Sequence, residues 1–377
     1  MSVDEEPVVS MPGAAGDADP TVAALTIAVA ARVPVLLWGA PGTGKTSAIR
    51  ALAAAAGLPC ETVIASIREP SDFAGLPIVV GDEVRFAPPA WAQRLAAEGR
   101  GLLFLDELST APPAVQAALL RVVLERTVGD LTLPDDVAVV AAANPPEQAA
   151  DGWDLSAPLA NRLCHLSWET SPRGIAEGLA SGWAPPPVPL LPAGWTAGEP
   201  LNKCLVAAFL QVRPALAIAP PDNASEAGRG WPSPRTWEMA ARLMTAAEAA
   251  KATDQARSAL IRGAVGDGAG VEFLAWLVEM DLPDPEEVLA NPAAFRLPER
   301  GDRAYAALAA VAAAVAAEPT PERWTAAWQV LGGCAETAPD VAATAARVLA
   351  KCRPDGMPLP GEIKLFAPVL RDAGLLG

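Results

Sequence analysis

The sequence predicts an α/β fold whose first half holds a mainly parallel, five-stranded sheet and whose second half is helical. From Thr21 to about Trp168, short apolar runs alternate with alanine- and leucine-rich stretches, which is typical of strand-helix-strand units. From Arg235 onward, almost every segment repeats its apolar residues at the helical period. We therefore expect four regions: a disordered leader at 1–19, an α/β core at 20–168, a helical region with a proline-rich insertion at 169–265, and a C-terminal helical region at 266–377.

The elements of the expected core follow one another along the chain. Strands that are covered on both faces are continuously apolar, and runs of this kind lie at residues 33–38, 62–66, 102–106, 137–142 and 165–168. Between these runs, apolar residues recur about every 3.6 positions, which predicts helices at 46–56, 90–97 and 114–124.

The second half begins with irregular segments and continues with helices. Residues 183–195 and 219–234 are rich in proline, which predicts loops or linkers. The periodic stretches that follow predict helices at 235–250, 256–265, 271–280, 285–290, 303–317, 321–331 and 342–351.

Size and charge narrow the class of protein. A chain of 377 residues can bury two or three cores and needs no disulfide or metal staple. Its 28 Lys and Arg against 44 Asp and Glu give a net charge of −16, which repels phosphate backbones, so we do not expect its whole surface to bind nucleic acid. The longest apolar runs fall short of the roughly 20 residues of a membrane-spanning helix. The leader lacks the basic and apolar regions of a signal peptide, so we expect a cytoplasmic protein without membrane insertion.

The residue inventory limits the possible chemistry. The chain has a single histidine, His165, which excludes zinc sites with several His ligands and nearly excludes Ser-His-Asp triads; we expect it to be a structural core residue. Its five cysteines are widely spaced without a C-x-x-C pair, as expected of reduced thiols. Catalysis must therefore depend on carboxylates, arginine, lysine and the backbone.

The segment between the first expected strand and helix has the pattern G-x-x-x-x-G-K-S/T. Its glycines allow consecutive backbone N–H groups to surround a phosphate, and the N-terminus of the next helix adds a partial positive charge. Lys45 would reach the β- and γ-phosphates, and the Thr46 hydroxyl would ligate Mg²⁺. The pattern predicts a nucleotide site formed by Gly39, Ala40, Pro41, Gly42, Thr43, Gly44, Lys45 and Thr46.

Polar residues also follow two later strands. Asp106 and Glu107 end one apolar run, and Asn144 ends another. Strand ends are often charged for solubility, and an asparagine before Pro145 commonly caps a turn, so each signal is ambiguous by itself. Downstream of a phosphate-binding loop, Asp106 would hold Mg²⁺ through water, Glu107 would polarise the attacking water, and Asn144 would orient it.

The order of these motifs, followed by Leu-Ala-Asn-Arg162-Leu and Ser-Pro-Arg235-Thr-Trp, resembles an AAA+ ATPase and, within that superfamily, the MoxR family. The resemblance covers residues 20–265 and implies a P-loop AAA+ core with a parallel five-stranded sheet, a helical lid and a C-terminal helical region. Lys45 and Thr46 would belong to the Walker A motif, and Asp106 would belong to the Walker B motif.

The same resemblance assigns the remaining site residues. Glu107 completes the Walker B motif, and Asn144 matches sensor 1. Arg162 lies where such families keep the arginine finger that acts on the neighbouring subunit's nucleotide, and Arg235 lies where sensor 2 arises from the lid. A planar guanidinium suits both places because it stabilises charge that grows on the γ-phosphate in the transition state.

Two segments resemble insertions of the branch that contains the MoxR family. Residues 71–88 predict a hairpin with strands at 78–80 and 84–86, joined at Gly81-Asp82-Glu83. Residues 126–134 resemble a second hairpin before sensor 1. Such hairpins line a central channel or contact a partner, and the alternative is a plain surface hairpin.

The resemblance implies an ATPase that uses ATP and Mg²⁺ in a ring, expected to be a hexamer, and that remodels, matures or activates a partner protein. The expected partner is a separate protein with a von Willebrand factor A domain. One alternative is a nucleic-acid motor or restriction-type NTPase of the same branch, which the charge disfavours. The other is an ATP-dependent scaffold, against which Glu107 argues.

Overall fold

The computed structural model describes residues 19–145, 148, 153–372 and 374–375, so the expected leader lies almost entirely outside the described residues. The strands are β1 (Val35–Trp38), β2 (Cys60–Ile64), β3 (Leu76–Val80), β4 (Glu83–Ala87), β5 (Arg100–Asp106), β6 (Thr127–Val128), β7 (Leu131–Thr132), β8 (Asp136–Ala143) and β9 (Cys164–Ser167).

The helices fall into two sets. Those of the first half are α1 (Pro20–Ala30), α2 (Lys45–Ala55), α3 (Ser71–Ala74), α4 (Ala90–Glu98), α5 (Pro113–Glu125) and α6 (Ala157–Ala160). Those of the second half are α7 (Pro172–Ser181), α8 (Glu199–Val212), α9 (Ala224–Ala227), α10 (Pro234–Ala249), α11 (Asp254–Val265), α12 (Asp267–Glu279), α13 (Pro285–Ala290), α14 (Gly301–Ala317), α15 (Pro321–Cys334), α16 (Pro339–Lys351) and α17 (Ala367–Asp372).

The main sheet has five parallel strands in the order β2-β5-β8-β1-β9, which confirms the predicted fold class. All four residues of β1 are buried, because helices cover both faces of the sheet. The carboxyl ends of β5, β8 and β1 are neighbours at one edge. Loops that follow these three strands therefore meet at one place.

Two apolar cores flank the sheet, and a third lies in the C-terminal half. Leu37 faces a cluster that also contains α1, α2 and the helices α10 to α12, so the helices of the second half pack directly on the sheet. Leu36 faces a second cluster with α4 and α5. The third cluster joins α13 to α17 around Trp324 and Trp328. The boundaries expected between the four regions of the chain stay predictions.

Among the described helices of ten or more residues, α1, α7 and α8 were absent from the sequence-based expectations, and each has a physical reason. Helix α1 is buried at six consecutive positions, Ala24 to Val29, so it has no polar face to reveal its period. Helices α7 and α8 begin in proline-rich sequence, where Pro172 and Pro200 occupy the first turn, a position that tolerates proline. Residues 183–194 contain no helix or strand, as their prolines predict, whereas the expected loop at 219–234 contains the short helix α9.

Strands β3 and β4 form the first expected hairpin, and strands β6 and β7 form the second. The first hairpin turns at Gly81 and Asp82 alone, because Glu83 already pairs with Val80; the expected three-residue connection was one residue too long. Two hydrogen bonds between Asp130 and Phe86 join the hairpins. Asp130 donates its N–H to the Phe86 oxygen at 2.9 Å, and its carboxylate accepts the Phe86 N–H at 2.9 Å.

Within the described part of the chain, no helix combines the length and the apolar character that crossing a bilayer requires.

Candidate functional site

The glycine-rich loop connects β1 to α2 at the carboxyl edge of the sheet. Gly42 and Gly44 have φ of 79° and 85°, in the left-handed region that glycine adopts without strain. Gly44 precedes α2, and no side chain caps the first N–H groups of that helix. Uncapped amides at a helix N-terminus suit an anion, so this loop fits the phosphates of a nucleotide.

Lys45 connects the loop to the next strand of the sheet. Its ammonium group is buried and donates to the Gly39 oxygen at 2.6 Å, the Ala40 oxygen at 2.9 Å and Asn144 Oδ1 at 3.1 Å. Burial lowers the pKa of Lys45, and the nearby negative charge of Asp106 partly opposes that shift. The structure thus brings the expected phosphate ligand and the expected water-orienting amide into direct contact.

Thr46 and Asp106 form the expected magnesium pair. The Thr46 hydroxyl donates to Asp106 Oδ2 at 2.9 Å, although the two residues lie 60 positions apart. Hydroxyl and carboxylate oxygens are the hard ligands that Mg²⁺ prefers. The donor set at this edge of the sheet therefore fits a magnesium ion shared with a phosphate.

Glu107 directly follows β5 with a left-handed φ of 57°, which is uncommon for a residue with a side chain. Its carboxylate accepts a hydrogen bond from the Ser66 hydroxyl. Ser66 was not among the predicted site residues. It lies two residues beyond Ile64, which pairs with Asp106 in the neighbouring strand, and only this pairing places it beside Glu107.

Asn144 follows β8, which lies between β5 and β1. Besides contacting Lys45, it donates its backbone N–H to the Ser109 hydroxyl at 3.2 Å. Asn144 therefore contacts both the lysine, through its side chain, and the loop that follows Glu107, through its backbone.

Arg162 lies at the other end of the sheet. It precedes Cys164 by two residues, and Cys164 pairs with Val35 at the start of β1. The loop begins only at Gly39, four residues beyond Val35, which is roughly 13 Å farther along the strand at about 3.3 Å per residue. The Arg162 guanidinium donates to the Pro158 oxygen in α6. Arg162 therefore lies beside the amino end of β9, opposite the end of the sheet that carries the phosphate loop.

Arg235 lies near Arg162. Burial lowers the pKa of the Arg162 guanidinium, and the positive charge of Arg235 lowers it further. Asn161 connects the two segments, because its side chain donates to the Trp231 oxygen at 3.1 Å and accepts the Ser233 hydroxyl at 2.7 Å. The expected site residues thus form two groups, one at each end of the sheet.

His165 has a structural environment, as we expected from the sequence. Trp38 donates its Nε1–H to His165 Nδ1 at 2.9 Å, and the other ring nitrogen lies 2.9 Å from the Ala160 oxygen. Burial lowers the pKa of His165 to about 4, which keeps the ring neutral. The Arg229 guanidinium lies 3.8 Å above the Trp38 ring.

Residues 34–163 match a family model described as an AAA domain of the dynein-related subfamily. Protein MoxR of Methylorubrum extorquens is 34% identical over 111 residues, which are 29% of this chain. The match spans only 32% of that relative's length. A candidate ATPase from Cytophaga hutchinsonii, known from its crystal structure, is 20% identical with a TM-score of 0.43 over 64% of this chain and 79% of its own.

Proposed function

We propose that this chain, whose residues 34–163 match the model of an AAA domain, is a MoxR-like AAA+ protein that hydrolyses ATP at the interface between subunits of a ring. The loop from Gly39 to Thr46 binds the phosphates, and Thr46 and Asp106 hold Mg²⁺, the latter through water. When bound, Mg²⁺ neutralises charge on the phosphate oxygens.

Glu107 and Asn144 act on the attacking water. Glu107 accepts its hydrogen bond and polarises it, and Asn144 orients it beside the γ-phosphate. Lys45 supplies a positive charge at the end of the phosphate chain. The contacts among Lys45, Asn144, Thr46 and Asp106 support this proposal, because they bring four residues from three strand ends together.

The position of the arginines carries the proposal that neighbouring subunits share each site. Arg162 lies beside the amino end of β9, opposite the end of the sheet that carries its own loop, and Arg235 accompanies it. Both would meet the phosphates of an adjacent subunit and stabilise the charge that develops during hydrolysis. A site completed in this way couples hydrolysis to the geometry of the ring, which we propose to be a hexamer.

Mixed rings test this arrangement. Neither Lys45→Ala nor Arg162→Ala alone should hydrolyse ATP appreciably. In a mixture, an intact Arg162 from the lysine variant completes the site of the arginine variant, so steady-state assays should recover part of the wild-type rate. Arg173→Ala is the matched control, because this arginine is 88% exposed and should leave the rate unchanged. A mixture as inactive as its components would contradict a shared site.

Glu107→Gln separates turnover from binding. The variant should bind ATP with an affinity similar to that of the wild type, since the amide keeps the shape of the side chain, but it should hydrolyse ATP at least about 100-fold more slowly because it no longer polarises water. Calorimetry and phosphate release measure the two properties. A variant that keeps its hydrolysis rate would exclude Glu107 as the polarising residue, whereas a wild type that binds without turnover would favour the scaffold.

We further propose that the ring remodels a partner protein, with a separate von Willebrand factor A domain protein as the expected partner. The net charge of −16 disfavours nucleic acid. Two features of the β3–β4 hairpin support a protein partner. The hairpin exposes apolar side chains such as Val79, which is 78% exposed. The positive charge of its Arg85 is paired with Glu83 and so is not offered to a phosphate backbone. Hydrolysis should therefore respond to a partner protein, and a salt-sensitive stimulation by DNA would favour the nucleic-acid motor.

A further inference from the structure

The backbone oxygen of Thr43, in the middle of the phosphate loop, accepts two hydrogen bonds from a distant segment. Trp168 donates its Nε1–H at 3.0 Å, and Thr170 donates its hydroxyl at 3.2 Å. Both residues follow β9, the outer strand beside β1. Trp168 also donates its backbone N–H to the Trp38 oxygen at 2.6 Å. Residues 168–170 therefore hold the loop from one side.

The segment also approaches the first residue of the loop closely. A Cβ atom added to Gly39 would lie 2.6 Å from the Trp168 backbone oxygen, so only glycine fits there. The packing places Trp168 against both the start and the middle of the loop. Its contact with Thr43 is thus part of a continuous interface.

These two hydrogen bonds fix the orientation of one peptide group. In a trans peptide, the carbonyl and the following N–H point in opposite directions. Because the Thr43 oxygen points toward Trp168 and Thr170, the Gly44 N–H points away from them. We propose that Trp168 and Thr170 are positioning residues that keep this N–H directed at a bound phosphate, an inference that rests on the proposed nucleotide site.

The peptide between Thr43 and Gly44 needs such support because Thr43 lies between two glycines, Gly42 and Gly44. Glycine adopts positive and negative φ with similar ease. The peptide between Thr43 and Gly44 could therefore rotate and present its oxygen to the phosphate, which would repel an anion. Losing one hydrogen bond to a charged group should weaken binding about tenfold.

The test uses inorganic tripolyphosphate and Mg-ATP as probes of the full-length protein. The variant with both Trp168→Phe and Thr170→Val loses both donors and keeps similar shapes. Calorimetry should show about tenfold weaker binding of both probes, and Thr170→Ser in place of Thr170→Val should restore part of the loss because it returns the hydroxyl. Trp183→Phe is the matched control, since Trp183 is 65% exposed.

Two outcomes would overturn the inference. Weaker binding of ATP alone would mean that Trp168 contacts the base. Unchanged binding of both probes would mean that the loop keeps its shape without these hydrogen bonds. If the double variant does not fold, Thr170→Val compared with Thr170→Ser gives the same test with a smaller expected loss. A wild type that binds neither probe would instead contradict the proposed function, as would binding that survives Lys45→Ala.

Discussion

At the scale of single residues, Ser66 restrains the carboxylate that we propose to polarise water. Its hydroxyl donates to Glu107, whose backbone already adopts a left-handed conformation. One oxygen of the Glu107 carboxylate is thus engaged by Ser66, which leaves it fewer sites at which to accept a hydrogen bond from water.

Replacing Ser66 tests this restraint. Ser66→Ala should raise the basal rate of hydrolysis at least about tenfold, because it removes a hydrogen bond to a carboxylate that is worth about 1.5–3 kcal/mol and so frees Glu107. Steady-state phosphate release measures the rate. Ser181→Ala, which removes a hydroxyl bonded to a helical carbonyl, should leave it unchanged. A slower Ser66 variant would mean that the serine assists Glu107.

The environment of His165 leads to a second prediction at the scale of single residues, namely how the stability of the protein depends on pH. Its pKa is about 4 in the folded protein and about 6.5 in the unfolded chain, so the unfolded chain binds the extra proton between these values. Stability should fall as pH drops from 6.5 toward 4, by about 3 kcal/mol in total. As the chain has a single histidine, urea unfolding of the wild type against His165→Gln between pH 5 and 7 isolates the effect. A wild-type histidine that titrates near 6.5 by NMR would contradict it.

The sequence was enough to predict which residues meet at the carboxyl end of the sheet. Asp106 ends one apolar run, Asn144 follows another, and Lys45 and Thr46 end a glycine-rich motif that begins after a third. Parallel strands bring those ends together. Ser66 and Trp168 could not be assigned in this way. Their roles depend on which strands are neighbours, and the order of strands in a sheet is a long-range property that local patterns do not contain.

At the scale of elements, the two hairpins act as one unit. The base of the first packs against the turn of the second, where Gly129 has a φ of 61° and lies against the backbone oxygen of Phe86. Strand alternation and turn residues were enough to predict each hairpin separately. Their contact was not predictable, because residues 75 and 129 are distant in sequence and meet only through backbone atoms.

Gly129→Ala should separate the hairpins. Alanine would be strained at this φ and would also collide with Phe86, whereas Gly81→Ala meets the same strain with nothing nearby. We expect Gly129→Ala to destabilise the hairpin pair by about 1–3 kcal/mol more than Gly81→Ala. Hydrogen exchange at the amides of β3 and β4 measures this difference. Equal exchange in both variants would mean that the hairpins are independent.

At the scale of the whole molecule, the helical second half is not a separate appendage of the sheet. Helices α10 to α12 share one apolar core with β1, and Trp237 packs there against Phe209 and Phe273. The sequence predicted all three of these helices from their period. It did not indicate their docking on the sheet, because an apolar helix face does not specify its partner.

The two ends of the sheet also set the symmetry of the proposed assembly. Each chain carries the phosphate loop at one end and Arg162 at the other, so the surface that offers the guanidinium differs from the surface that receives it. Contacts between unlike surfaces are head-to-tail. In the proposed assembly every subunit therefore gives to one neighbour and receives from the other, and repetition either closes a ring with a defined rotational sense or continues as a filament.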